Sequence, residues 1–265
     1  MPMLNIYVHE LKQYRISTAI WVAVLVLMSV VYISIWPTFE SAAEATREII
    51  ENFPPAFKEI IGFSNMAFTS LESFFSLIFM FILVAGGVQA MHLGTAIVSK
   101  ESRDQTSDFL IAKPVSRTTI LSSKLLAAIT LLILTNAIYI SSTFLIMSLF
   151  SEQEIVSQTM FMIMLTMFFL QLFFLALGFL VATVRPKIKS VIAVSLPVVF
   201  AFYFISILDN VIGDTAVSYI TPFKYFDFEY IIEHNFYELS YLITGAVFIV
   251  VALVTSYIFY VKKDV

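Results

Sequence analysis

Six apolar runs dominate the chain: Ile16–Ile35, Phe74–Val98, Leu125–Leu149, Met160–Val184, Val191–Leu208 and Tyr241–Tyr260. At about 1.5 Å of rise per helical residue, each is long enough, or nearly so, to cross about 30 Å of hydrocarbon. The fifth, at 18 residues, is the shortest. Six such runs in 265 residues leave too little other chain to bury them as core helices. Charged residues make up only 13% of the chain and hydrophobic ones 60%, with a mean hydropathy of +0.92. A water-soluble fold needs more charge than this to cover its surface. The expected fold is therefore all-α and polytopic, with six transmembrane helices in one domain over residues 1–265. Trp36, Tyr241, Tyr257 and Tyr260 fall near run ends, where amphipathic rings favour the membrane interface.

Basic residues set the expected orientation. With the N-terminus inside, Lys12, Arg15, Lys100, Arg103, Lys113, Arg117, Lys124, Arg185, Lys187, Lys189, Lys262 and Lys263 all face the cytoplasm, 12 of the 15 Lys and Arg. Arg47, Lys58 and Lys224 face out. The reverse orientation would oppose the positive-inside bias, so both termini are expected in the cytoplasm. The first run is longer than a signal peptide's apolar core and reads as an anchor.

The lead, residues 1–15, carries Leu4, Tyr7, Val8, Leu11 and Tyr14 at three- and four-residue spacing. That stripe predicts an amphipathic helix lying in the interface before the first span, the simpler option being extra turns of that span. Residues 36–73 form the expected outer loop. TREIIENF (Thr46–Phe53) and AFKEIIGF (Ala56–Phe63) suit short amphipathic helices on the outer surface, separated by Pro54 and Pro55. A second outer loop, Asp209 to about Ser240, is acidic and holds aromatic residues able to dip back toward the bilayer.

The chain carries no recognisable energy source. The nearest approach to a phosphate-binding loop, GTAIVSK at Gly94–Lys100, has Ser99 where glycine is required and Glu101 where a hydroxyl is required. Ion-driven transport needs ionisable groups in mid-membrane, and the spans hold almost none. Gln89 and His92 share a face of the second span, while Asn136 and Gln171 lie well inside the third and fourth. Such amides commonly join helices. Cysteine is absent, and His9, His92 and His234 are widely separated, so no metal site and no catalytic residue is expected. Glu72, Asp209 and His234 are the outer-side candidates for a membrane-embedded lipid enzyme, but nothing in their spacing pairs them. Gly86, Gly87 and Pro197 are possible hinges, the glycines serving equally for close helix approach.

The most polar segment, ESRDQTSDFLIAKPVSR at Glu101–Arg117, lies on the cytoplasmic side between spans two and three. Phe109, Leu110 and Ile111 form an apolar knot. Thr106 and Asp108 before it suit a helix start, Pro114 ends that element, and Ser116 supplies an N-cap for the helix becoming span three. An exposed apolar knot calls for a partner or for folding back onto its own spans. The pattern E-x-R-x-x-T-x-D-F-L-x-x-K-P-V-S-R-x-x-I-x-x-x-K, Glu101–Lys124, resembles the signature of permease subunits of type-2 ABC exporters (the ABC-2 family). Glu101, Thr106, Asp108, Leu110, Pro114, Val115, Ser116, Arg117, Ile120 and Lys124 match, and Gln105 stands where glycine is usual, which makes the turn there less sharp.

The resemblance implies six spans with both ends inside and a dimer, of identical or related permeases, docked to a separate ABC ATP-binding subunit. ATP and Mg would sit on that partner; this chain would bind no cofactor and no nucleic acid. Residues 99–124 would be the coupling loop, with Glu101, Arg103, Thr106, Asp108, Phe109, Leu110, Ile111, Pro114 and Arg117 facing the ATPase. The implied setting is a bacterial or archaeal cell membrane. Small outer loops and apolar spans favour a hydrophobic or amphipathic cargo such as a drug, peptide antibiotic or lipid-linked molecule, while the resemblance also permits sodium or polysaccharide. The alternative is a scaffold or assembly component that associates with an ATPase without transport.

Overall fold

The computed structural model describes residues 2–42, 52–54, 71–103, 115–150, 157–185, 187–212 and 215–262. The long helices are α1 (Pro2–Ser41), α2 (Leu71–Arg103), α3 (Arg117–Phe150), α4 (Ser157–Val184), α5 (Ile192–Ile212) and, after two short helices, α8 (Leu239–Lys262). The short ones are α6 (Thr215–Ser218) and α7 (Phe228–His234), with a 3₁₀ turn at Pro222–Lys224 between them. All six long helices are apolar and long enough to cross a membrane. The chain is thus an all-α, multi-pass membrane protein.

The lead does not form a separate interfacial helix. Residues 2–15 are the first turns of the 40-residue α1, and no glycine or proline interrupts it before Pro37. The apolar stripe at Tyr7, Leu11 and Tyr14 packs on the protein core, and Tyr7 Oη lies 3.1 Å from Thr130 Oγ1 of α3. Leu4 and Val8 of the same stripe stay exposed, so protein covers only part of it. Helical extension also shortens the two expected loops: α1 reaches Ser41 and α2 begins at Leu71, while α2 ends at Arg103 and α3 begins at Arg117. The two outer amphipathic segments lie almost wholly outside the described residues.

α2 and α4 form the centre of the bundle. Their apolar windows are 78% and 61% buried, against 22%, 22% and 11% for α1, α5 and α8. They cross at Gly94 and Gly178, where the missing side chains let the backbones touch. Around this pair the helices fall into two closely packed sets. α3 packs chiefly on α1, whereas α4 takes α2 and α8, and α2 touches α3 far less than it touches α4.

The segment between α5 and α8 folds back on the bundle. Phe223, Tyr225, Phe226, Phe228 and Ile231 are buried. Phe228 meets Phe79 of α2 edge-on at 5.8 Å, Phe223 meets Phe174 of α4 at 5.7 Å, and Thr221 Oγ1 donates to the Phe202 carbonyl of α5 at 2.9 Å. Asp227 caps α7 by accepting from the Tyr230 amide, and Asn235 ends it with φ of 56°, a left-handed conformation that asparagine tolerates.

Candidate coupling site at the roots of the polar loop

Both arms of the polar loop are helical: α2 carries Glu101 and Arg103 on its last turn, and α3 starts at Arg117. The Ser116 hydroxyl accepts from the Thr119 amide at 3.2 Å, the N-cap expected of it. Arg117 reaches across to α8, its Nη1 donating to the Val261 carbonyl at 3.0 Å. Ser122 and Tyr257 add a second tie between α3 and α8, at 2.7 Å.

Lys124 lies two turns into α3 and is fully buried. Side chains lean toward a helix's N-terminus, so its long stem carries the ammonium back toward the loop. There Nζ donates to Glu101 Oε1 at 2.6 Å, to Oε2 at 2.5 Å and to the Ile97 carbonyl at 2.6 Å. An ammonium has three protons to donate, and these three acceptors match them. The charge also stands at the C-terminal end of α2, where the helix dipole favours a cation. Beside this pair, Glu10 of α1 is buried 3.7 Å from Lys100 of α2, which also donates to Gln13. Four charged groups from three helices thus meet at one end of the bundle.

A second polar network sits deeper. Gln171 of α4 donates to Gln89 of α2 at 3.2 Å, Gln89 donates to Thr135 of α3 at 3.1 Å, and Asn136 of α3 donates to Gln171 at 2.6 Å. These amides join three helices, as their type suggested. α2 runs unbroken through Gly86 and Gly87, which leave room for Met167 and Phe174 of α4, and α5 continues through Pro197.

Among the described residues, no group of His, Cys, Asp or Glu is arranged to hold a metal ion. Of the candidates expected on the outer side, Asp209 accepts from Ser218 at 2.7 Å and His234 stacks on Tyr230, while the Glu72 side chain lies outside the described residues. An apolar cavity of about 260 Å³ lies between α4, α8 and the folded-back segment, walled by Phe173, Tyr225, Phe226, Tyr241, Gly245 and Ile249 among others.

Residues 4–265 match the ABC-2 family transporter protein family, nearly the whole chain. The chain belongs to the ABC-2 transporter family. No curated protein shows significant similarity to it.

In this ABC-2 chain, Glu101 and Lys124 are the first and last residues of the recognised pattern, and the fold brings them into contact. Glu101 spends its carboxylate on Lys124, and Arg117 holds α8. Thr106, Asp108, Phe109, Leu110, Ile111 and Pro114 lie outside the described residues. Sequence reasoning did not assign Lys124 a partner. The available signal was an acid and a lysine closing the same motif from opposite ends.

Proposed function

We propose that this chain is the transmembrane permease subunit of an ATP-driven exporter, coupled to a separate ATP-binding subunit that holds ATP and Mg. The observation that carries the reading is the polar loop's foundation. Its two arms continue directly into α2, the central helix, and α3, and an ion pair joins them at the base. Both termini and the loop face the cytoplasm in this reading, in keeping with the 12 basic residues at that end.

ATP closes the partner's nucleotide-binding dimer and moves the groove holding residues 101–117. Phe109, Leu110 and Ile111 are the apolar anchor, while Asp108, Arg103 and Arg117 set register through charged contacts. The displacement passes into α2 and α3 and opens or closes a path between two permease copies, identical or related. The apolar cavity beneath the outer segment supports a hydrophobic or amphipathic cargo.

Replacing Phe109 and Leu110 together with Asp tests the coupling. The expected result is loss of co-purification with the ATP-binding subunit, with membrane insertion unchanged. Undiminished co-purification overturns it.

A further inference from the structure

We propose that Lys124 is a positioning residue that locks the two arms of the polar loop into one lever, so that the α1–α3 pair and the α2–α4 pair move together. The inference rests on the ATPase-coupled reading above and deepens it.

The argument begins with the packing. The arms root in different helix pairs: α2 is bound to α4, α3 to α1, and α2 and α3 share comparatively little surface. The amide network ties α2 to α3 only deeper in the bundle, so a push on the loop would pry the two helices apart at their base. The stroke would then be lost as a local opening. Lys124 stands at the point where that opening would begin, with all its donors spent on α2. Through Glu101's neighbour Lys100, the same end of α2 also holds Glu10 and Gln13 of α1. The base is therefore tied across three helices at one level.

Stability alone is a poor account of this arrangement. A buried ion pair gains little over a well-packed apolar pair of similar volume, because desolvation offsets the attraction. What the ion pair adds is direction: three short bonds fix where the end of α2 sits relative to α3. A greasy contact at the same place allows sliding.

The test uses the full permease–ATPase complex in liposomes, with spin labels on cysteines introduced at Thr118 of α3 and Arg185 at the end of α4, both exposed. The natural chain has no cysteine to interfere. With Lys124 intact, the Thr118–Arg185 distance should be the same without nucleotide and in the vanadate-trapped state. In Lys124→Met it should shift by about 2 Å or more on trapping, the scale of helix displacements in switching proteins. In a separate sample, Glu101→Cys with Lys124→Cys should behave like Lys124→Met until a short bifunctional thiol reagent joins the pair. The reagent should then restore the constant distance, read through labels coupled to unnatural amino acids at 118 and 185.

A constant distance in Lys124→Met overturns the lever, as does a nucleotide-dependent distance in the unaltered complex. If Lys124→Met fails to insert, the cross-linked pair decides alone, and failure to restore the constant distance overturns the lever. Failure of the ATPase to co-purify with the unaltered chain would instead sink the functional reading, so the two are told apart.

Discussion

Gly94 of α2 and Gly178 of α4 meet backbone to backbone. A Cβ built on Gly94 would stand 3.4 Å from Gly178 Cα and 2.6 Å from the Leu175 carbonyl oxygen, and one on Gly178 would stand 2.8 Å from the Met91 carbonyl oxygen. Neither oxygen belongs to a side chain that can rotate away. In hydrocarbon, where helices gain no hydrophobic drive to associate, such close contact supplies packing energy directly. The two central helices are therefore held together by the absence of two methyl groups.

Gly94→Ala should accordingly cost about 1–3 kcal/mol, the usual penalty of overpacking, and Gly178→Ala a similar amount. Gly245→Ala is the control. A Cβ there would rest 3.4 Å from the Tyr225 ring, an ordinary contact, so stability should barely change. Thermal unfolding of the three variants in one detergent checks the contrast, and equal midpoints would refute it.

The buried amide network gives a second prediction. Gln171→Leu removes one acceptor and one donor, leaving Asn136 and Gln89 each short of a partner among their interhelical bonds. Asn136 Oδ1 already lacks a hydrogen bond. Interhelical bonds in membranes are individually modest, so the loss should be about 1–2 kcal/mol. Gln171→Glu should be worse, because a charge would then be buried among α2, α3 and α4. Denaturation by a graded harsh detergent measures both.

Six spans were legible in the sequence because a transmembrane helix is written in a single local property, uninterrupted hydropathy over about 20 residues. The Ser116 cap was legible for the same reason, since the bond spans only three residues. The lead left two options open, an interfacial helix or extra turns of the first span, because a stripe such as Tyr7, Leu11 and Tyr14 says only that something apolar covers it. It does not say whether that cover is lipid or, as here, protein including α3. The motif closes with an acid at one end and a lysine at the other, but the Lys124–Glu101 contact also needs two helices arriving at the same level with the right rotation, which the motif does not encode. Gly94 and Gly178 are isolated glycines, and only the crossing of α2 and α4 gives them meaning.

The N-cap at the loop's second arm gives a local prediction. Ser116→Ala removes the acceptor of the Thr119 amide and should cost about 1 kcal/mol at the start of α3. The bundle as a whole should remain folded, because Lys124 and Arg117 still hold that helix. Hydrogen exchange should therefore speed up by about fivefold at Thr119 and fade within the next turn, while amides around Leu131 stay protected. Uniform acceleration along α3 would contradict a purely local role.

Orientation yields the last prediction. Lys12 on the first turns of α1 and Glu233 on α7 are both exposed, and the fold places them at opposite ends of the bundle. The end holding Lys12 also holds Lys100, Arg103, Arg117, Lys124, Arg185, Lys187, Lys189 and Lys262, whereas the Glu233 end carries Asp209, Asp227, Glu229 and Glu238 with Lys224. Translocating the first set would draw many strongly hydrated cations across the bilayer, which the insertion machinery resists. Because the chain has no cysteine, Lys12→Cys and Glu233→Cys each introduce a single thiol. In intact cells a membrane-impermeant maleimide should label Glu233→Cys and leave Lys12→Cys untouched, and after lysis it should label both. Labelling of Lys12→Cys from outside would place the polar loop beyond the reach of any cytoplasmic ATPase and overturn the coupling mechanism with it.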